Sequence, residues 1–239
     1  MKALVLAAGM STRIASVSRG TPKPLLSIAN RPVIARTLEW LSESGVGEVW
    51  INLHYRPNDI RDALGDGSRF GLRLHYAFEP VLLGTAGAFR ALDDHWDDTT
   101  LVVYGDNIMR FDLAAFRSDH RHGGLDATIA LFDPAVHANS KIAGGRVSLD
   151  GGAQVRAFVE GGSGAGLVNT GAYLLEPTIA REIGDGYQDF GHDVFPALAD
   201  AGRLRGYTME RSGYCIGLDT PDSFRLAESL ITSGQVALA

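Results

Sequence analysis

A single cysteine, Cys215, stands among 239 residues, so an intrachain disulfide is excluded and the chain suits a reducing compartment. Its expected place is that of a small buried hydrophobe. An excess of positive charge is also missing. Lys and Arg number 22 against 28 Asp and Glu, a net charge of −6, which is the wrong balance for a general nucleic-acid binder. No apolar run is long enough to span a membrane. Lys2 and the small residues up to Ala8 imitate the start of a signal peptide, but the run is too short for its apolar region, and the reading is a mature cytoplasmic protein. Neither an internal repeat nor a disordered tract is visible. The segment Ala7 to Thr12 lacks the Gly-x-Gly-x-x-Gly spacing that a nicotinamide oxidoreductase needs.

What is present is a patterned α/β chain whose 45% hydrophobic content suffices for one large domain covering residues 1–239. Apolar runs at Ala3 to Leu6, Val49 to Leu53, Leu72 to Ala77 and Thr100 to Val103 read as strands. They alternate with helical patterns at Val33 to Glu43, Asp59 to Leu64 and Ala86 to Leu92, which predicts a mainly parallel sheet. In the second half, strand patterns at Ala127 to Phe132, Arg146 to Leu149, Val155 to Glu160 and Leu167 to Leu175 are divided by glycine-rich turns. This reads as an antiparallel insertion at the open edge of the sheet, with a short mobile loop after Glu160. Helices near His192 to Ala201 and Pro221 to Thr232 complete the pattern.

Chemistry concentrates at the carboxyl ends of the strands, where ligands bind in sheets of this kind. After the first strand comes Ala8-Gly9-Met10-Ser11-Thr12-Arg13, a loop in which Gly9 permits close approach and the following residues offer N–H groups, hydroxyls and a guanidinium to an anion. Lys23, held between Pro22 and Pro24, adds a point charge, and together they point to a nucleoside triphosphate. Asp106 sits just past the end of the run Thr100 to Val103, Asp219 follows Gly217-Leu218, and each, taken alone, reads as a helix N-cap.

The opening segment and Pro22-Lys23-Pro24 resemble the signature of the sugar-phosphate nucleotidyltransferases. Further features of that family follow in order: Glu79-Pro80 with Leu83-Gly84-Thr85-Ala86-Gly87-Ala88, Tyr104-Gly105-Asp106-Asn107, Phe158-Val159-Glu160, Val168-Asn169-Thr170-Gly171 and Gly217-Leu218-Asp219-Thr220-Pro221. The resemblance implies a Rossmann-like α/β/α sheet, with a nucleotide-binding half over about 1–124 and an acceptor-binding half over about 125–239. It implies transfer of a nucleotidyl group from an NTP to a sugar-1-phosphate with release of pyrophosphate. Arg13, Lys23 and Asp106 would be catalytic, and Asp106 and Asp219 would hold Mg2+. Ala8, Gly9, Met10, Ser11, Thr12 and Arg13 would cradle the phosphates, and Gly84, Thr85 and Gly87 would meet the base and ribose. Asn107, Glu160, Asn169, Thr170 and Asp193 would read the acceptor.

The loop and the short chain look most like guanylyltransferases for mannose- or heptose-1-phosphate. Uridylyl-, thymidylyl- and cytidylyltransferases share the machinery, and a non-catalytic nucleotide-sugar-binding regulatory subunit is the alternative from another class. One departure stands out: relatives often have Glu-Lys-Pro where this chain has Glu160-Gly161-Gly162. The lost lysine would have held the acceptor phosphate. Lys141, Arg146 or Arg156 are the candidate replacements, and a choline-phosphate cytidylyltransferase would also account for the loss. His120 and His122, two apart on a predicted helix, cannot share a face for a metal.

Overall fold

The computed structural model describes residues 1–140, 142, 144–161 and 166–236. In chain order its strands are β1 (Lys2–Leu6), β2 (Ser27–Ile28), β3 (Arg31–Pro32), β4 (Glu48–Leu53), β5 (Arg73–Phe78), β6 (Thr100–Tyr104) and β7 (Asn107–Arg110). There follow β8 (Ala127–Phe132), β9 (Ala138–Asn139), β10 (Arg146–Leu149), β11 (Val155–Val159), β12 (Leu167–Leu175), β13 (Leu204–Thr208) and β14 (Tyr214–Gly217). The helices are α1 (Ala15–Ser18), α2 (Val33–Glu43), α3 (Pro57–Leu64), α4 (Gly84–Arg90), α5 (Leu113–Gly123), α6 (Pro177–Glu182), α7 (Phe195–Asp200) and α8 (Pro221–Thr232). Among the described residues no helix is long and apolar enough to cross a membrane.

β1 pairs in parallel with β4 and β6, and β5 continues the sheet in parallel beyond β4. On the other side β12 runs antiparallel to β6 and β8, with β13 parallel to β8. β10 joins the first residues of β12, and β11 forms the edge, each antiparallel to its neighbour. Among the described residues, only β11 and β12 of the nine strands in this sheet therefore oppose the common direction. This is the expected mainly parallel, Rossmann-like sheet, with the antiparallel hairpin built into its edge.

Strand alternation explains why β1 is apolar throughout. Ala3 and Val5 pack on one face with Ile34, Leu38 and Leu41 of α2 and Phe116 of α5. Leu4 and Leu6 pack on the other with Ala86 and Phe89 of α4 and Phe195 of α7. A strand covered by helices on both faces needs no polar side, and its carboxyl end emerges between two cores.

A second, three-stranded sheet of order β7-β14-β9 lies beside the main one. Its strands are short and went unread in the sequence, as did β13 and α6. Cys215 lies in β14, fully buried, with its Sγ donating to the Thr170 carbonyl at 3.4 Å. Burial pushes its thiol up, and the nearby Asp219 and Asp106 add to that, so the expected inert packing role holds. The helix expected from His192 is divided into a wide turn, Phe190–Val194, and α7, which starts at Phe195 with a proline in its first turn.

Candidate active site

β1 ends at Leu6 beneath a crevice, and the backbone leaves the sheet there because Ala7 N–H donates to the buried Asn52 Oδ1 at 2.7 Å rather than to a strand neighbour. Gly9 is exposed, and a methyl group built on it would meet nothing within 4 Å, so the space above it is open to a ligand. The backbone N–H groups of Gly9, Met10 and Ser11 make no hydrogen bond to another described residue. Ser11 adopts a left-handed φ of 57°, and its Oγ accepts from Lys23 N–H at 2.9 Å, tying the loop to Pro22-Lys23-Pro24. The pocket so formed is lined by Gly9, Ser11, Thr12, Arg13, Lys23, Asp106 and Asp219, among others. Ala8 does not line it.

The two acids reach this pocket through strand pairing. Asn107 in β7 is the register partner of Gly217 in β14, so Asp106, just before one, and Asp219, two residues after the other, emerge side by side. Gly105 makes the approach possible: a Cβ there would lie 2.8 Å from Val5 Cγ1 and 3.1 Å from the Leu6 carbonyl. Neither aspartate caps a helix, contrary to the alternative reading. β7 follows Asp106 directly, and α8 is capped by Thr220, whose Oγ1 accepts from Ser223 N–H in a reciprocal capping box.

Lys23 joins the acids. Its Nζ donates to Asp106 Oδ2 at 2.6 Å and to Asp219 Oδ1 at 2.7 Å, and Arg13 Nη2 reaches the same Asp219 oxygen at 3.2 Å. The Lys23 side chain is 9% exposed, whereas that of Arg13 is 69% exposed at the mouth. Burial works to lower the Lys23 ammonium, but the charges and hydrogen bonds of Asp106 and Asp219 together outweigh it and hold it above its ordinary value. Two carboxylate oxygens thus converge on one cation. No group of three or more carboxylates, histidines or cysteines suited to a metal forms among the described residues, so a hard divalent ion at this point would complete its shell with phosphate oxygens and water.

A second pocket opens from the first across Leu6, Gly9 and Asp106 and is lined by Ala8, Asn52, Glu79, Gly84, Thr85, Tyr104 and Tyr187. Its floor is a carboxylate that the sequence pattern left without a role. Glu79 is 5% exposed, its Oε1 accepts from Asn52 Nδ2 at 2.8 Å, and its Oε2 accepts from Leu83 N–H at 3.1 Å. The signal was legible: one Asn inside the otherwise apolar run Val49 to Leu53 demands a buried polar partner. Gly84 and Thr85 line this pocket, while Gly87 turns toward the chain itself, where a Cβ would lie 2.9 Å from the Gly186 carbonyl.

The predicted acceptor readers fare differently. Thr170 is fully buried, donating to the Ala130 carbonyl at 2.9 Å and accepting from Ala172 N–H at 3.1 Å. Asn169 donates to Tyr173 Oη and accepts from Gly171 N–H, and Asn107 donates to the Thr170 carbonyl. These three hold strands together and line neither pocket. Asp193 is exposed, and its Oδ2 accepts from Asp189 N–H at 2.7 Å, closing the turn that precedes α7. Glu160 is half-buried with its carboxylate over Gly191 and Gly145; burial and then Asp189 push its pKa up, opposed by His192. Arg156 is paired with Asp150 at 2.6 Å, and Arg146 donates to the Gly166 carbonyl at 3.4 Å. Lys141 and residues 162–165 lie outside the described residues.

Comparison with known proteins gives the arrangement its context. A family model described as "Nucleotidyl transferase" matches residues 2–232. The chain is 32% identical to a UTP–glucose-1-phosphate uridylyltransferase of Synechocystis sp., over 84% of this chain and 56% of that protein. It is 30% identical to a mannose-1-phosphate guanylyltransferase of Mycobacterium tuberculosis, over 93% of this chain and 62% of the relative. The chain therefore spans less than two thirds of the length of these curated relatives. Among solved structures, HddC from Yersinia pseudotuberculosis superposes with a TM-score of 0.81 at 25% identity, covering 95% of this chain and 98% of that one. The same protein complexed with GMP-PN gives a TM-score of 0.81 at 24% identity, covering 96% and 99%.

Proposed function

The chain belongs to the nucleotidyl transferase family, and from that premise we propose that it transfers a guanylyl group from GTP to a sugar-1-phosphate of the mannose or heptose type, releasing pyrophosphate. The observation that carries nucleotidyl transfer is the convergence of Lys23 and Arg13 on Asp106 and Asp219 beside the free N–H groups of the Gly9 loop. All the groups that a non-catalytic sugar-nucleotide sensor could dispense with are present and assembled.

A sugar-1-phosphate is largely dianionic near neutral pH, since the second ionisation of a phosphate monoester lies around 6, so its oxygen attacks without a general base. The bond formed joins that oxygen to the α-phosphorus. The bond broken is the α–β bridge, whose electron pair leaves with pyrophosphate. The chain's part is alignment and charge neutralisation. In this reading the Gly9–Ser11 N–H groups and Arg13 hold the β- and γ-phosphates, and Lys23 stabilises charge that grows at the α-phosphate. Asp106 and Asp219 would hold Mg2+, which supplies hard divalent positive charge to the phosphate oxygens when bound.

Guanine is favoured by Glu79. Each of its oxygens uses one lone pair on Asn52 or Leu83 and keeps another for the pocket. The guanine edge offers adjacent N1–H and N2–H donors to such a carboxylate, whereas uracil and thymine flank their one N–H with two carbonyl oxygens that it would repel. The guanylyltransferase names among the relatives and the GMP-PN complex of HddC support the same choice. The test is a screen of all NTPs against a panel of sugar-1-phosphates and choline phosphate, read by pyrophosphate release. The expected outcome is turnover with GTP and a hexose- or heptose-1-phosphate; preference for CTP with choline phosphate would overturn the reading.

A further inference from the structure

The position where the two carboxylates converge is already held by a cation of the chain itself. Lys23 Nζ lies 2.6 Å from Asp106 Oδ2 and 2.7 Å from Asp219 Oδ1, and a metal bound to both oxygens must displace it. The lysine is anchored from behind: Pro22 and Pro24 restrict the backbone, and Lys23 N–H is bonded to Ser11 Oγ. Only its side-chain torsions are left to move. With Arg13 on the same Asp219 oxygen, two positive charges balance two negative ones. A divalent ion arriving alone would meet a site that is already neutral, and would have to turn a largely buried ammonium out of its hydrogen bonds without offering it another partner.

We propose that Lys23 is a resident counter-ion that keeps the divalent metal position closed until nucleotide phosphates draw the ammonium and the Arg13 guanidinium off the two aspartates. The proposal rests on the phosphate-binding role assigned above to the Gly9 loop, and it assigns Lys23 a function in the ligand-free protein as well as in the reaction. Phosphate oxygens give both cations new anionic partners, which frees Asp106 Oδ2 and Asp219 Oδ1 together. Metal and nucleotide are then coupled through one side chain, and the coupling is reciprocal: whatever factor the nucleotide adds to metal affinity, the metal adds to nucleotide affinity. The exclusion also protects the fold, because two neighbouring carboxylates at the ends of β6 and β14 are never left facing each other without a positive charge.

The decisive measurement is Mn2+ binding, followed by electron paramagnetic resonance or calorimetry, for the wild-type protein, Lys23→Met and Lys23→Gln in the absence of nucleotide. The wild-type protein is expected to bind weakly, and each neutral variant roughly tenfold or more tightly, within the usual span of coupling between sites. Lys23→Gln keeps an amide donor for one carboxylate and serves if the methionine variant does not fold. Mn2+ should also raise the melting temperature of the variants by more than that of the wild type. Equal or weaker Mn2+ binding by both variants would overturn the counter-ion role. A GTP analogue with a non-hydrolysable α–β bridge, titrated in parallel with Mn2+, separates this from the enzymatic reading: failure to bind the analogue removes the nucleotide site, whereas equal Mn2+ affinities with analogue binding intact remove only the exclusion by Lys23.

Discussion

The two halves of the crevice are built from similar polar residues put to opposite uses. On the side proposed for the nucleotide, Gly9, Met10, Ser11 and Glu79 have donors or acceptors that no other described residue saturates, because each lies just beyond the carboxyl end of a strand. On the side proposed for the acceptor, Asn107, Asn169 and Thr170 are buried within strands, and their side chains are engaged with the backbone or with Tyr173. The lesson is positional. An Asn or Thr inside a two-sided sheet must satisfy itself internally, and the same residue a few positions on, past the strand end, is available to a ligand.

The largest expected effect lies on the open side. Asp106→Asn keeps the shape and loses the charge, and turnover should fall by about 100-fold or more, the scale of losing one preorganised electrostatic partner. Circular dichroism should show an intact fold. Near-normal turnover at limiting Mg2+ would take Asp106 out of the site. Next in size is Glu79→Gln, which leaves an acceptor for Leu83 N–H but adds an amide donor; the GTP to UTP ratio of kcat/KM should fall by roughly tenfold to a hundredfold. An unchanged ratio would mean that the base is read elsewhere.

The closed side should respond in stability instead. Thr170→Val preserves volume but strands the contacts with the Ala130 carbonyl and Ala172 N–H, at a cost of about 1–3 kcal/mol. The melting temperature should drop while KM for both substrates stays the same. A raised acceptor KM with unchanged stability would erase the contrast between the halves. The smallest effect belongs to Glu160. Burial, then Asp189, raise its carboxyl pKa, so ionisation is disfavoured in the fold. The penalty is absent below the ordinary glutamate value of about 4.3, grows as pH rises from there to the shifted value, and stays constant above it. Glu160→Gln should accordingly raise the melting temperature at pH 7 and leave it unaltered at pH 4. A simultaneous rise in acceptor KM would place Glu160 on the substrate surface.

These contrasts show what could be read from the sequence. β1, the Gly9 loop and Pro22-Lys23-Pro24 were legible because local composition determines them: an apolar run buried on both faces, a glycine before hydroxyls, and a lysine between two prolines. Asp106 and Asp219 were recognised through family resemblance, while their local signals allowed a helix cap. What unites them is the pairing of Asn107 with Gly217, 110 positions apart, between strands of only four residues each, too short for a periodic signal. Asn169 and Thr170 lie inside the strand that the pattern Leu167 to Leu175 predicts; the resemblance alone assigned them to the acceptor, and β12 satisfies their side chains within the sheet. Asn52 announced a buried polar partner, but which residue that is was not legible, because Glu79 follows a different strand, β5.

One contact bears on how this protein could be altered. Gly84, at φ +77°, sits so close to the Gln188 backbone that a Cβ would lie 2.2 Å from its carbonyl, and that carbonyl accepts from Ala86 N–H and Gly87 N–H. The residue next to this seam, Tyr187, lines the pocket proposed for the base with 64% of its surface exposed. Laboratory evolution of donor choice therefore has a fixed rail and a free lever side by side: substitutions at position 84 should be purged as misfolded, while position 187 can be randomised to reshape the rim without unseating the loop that carries it.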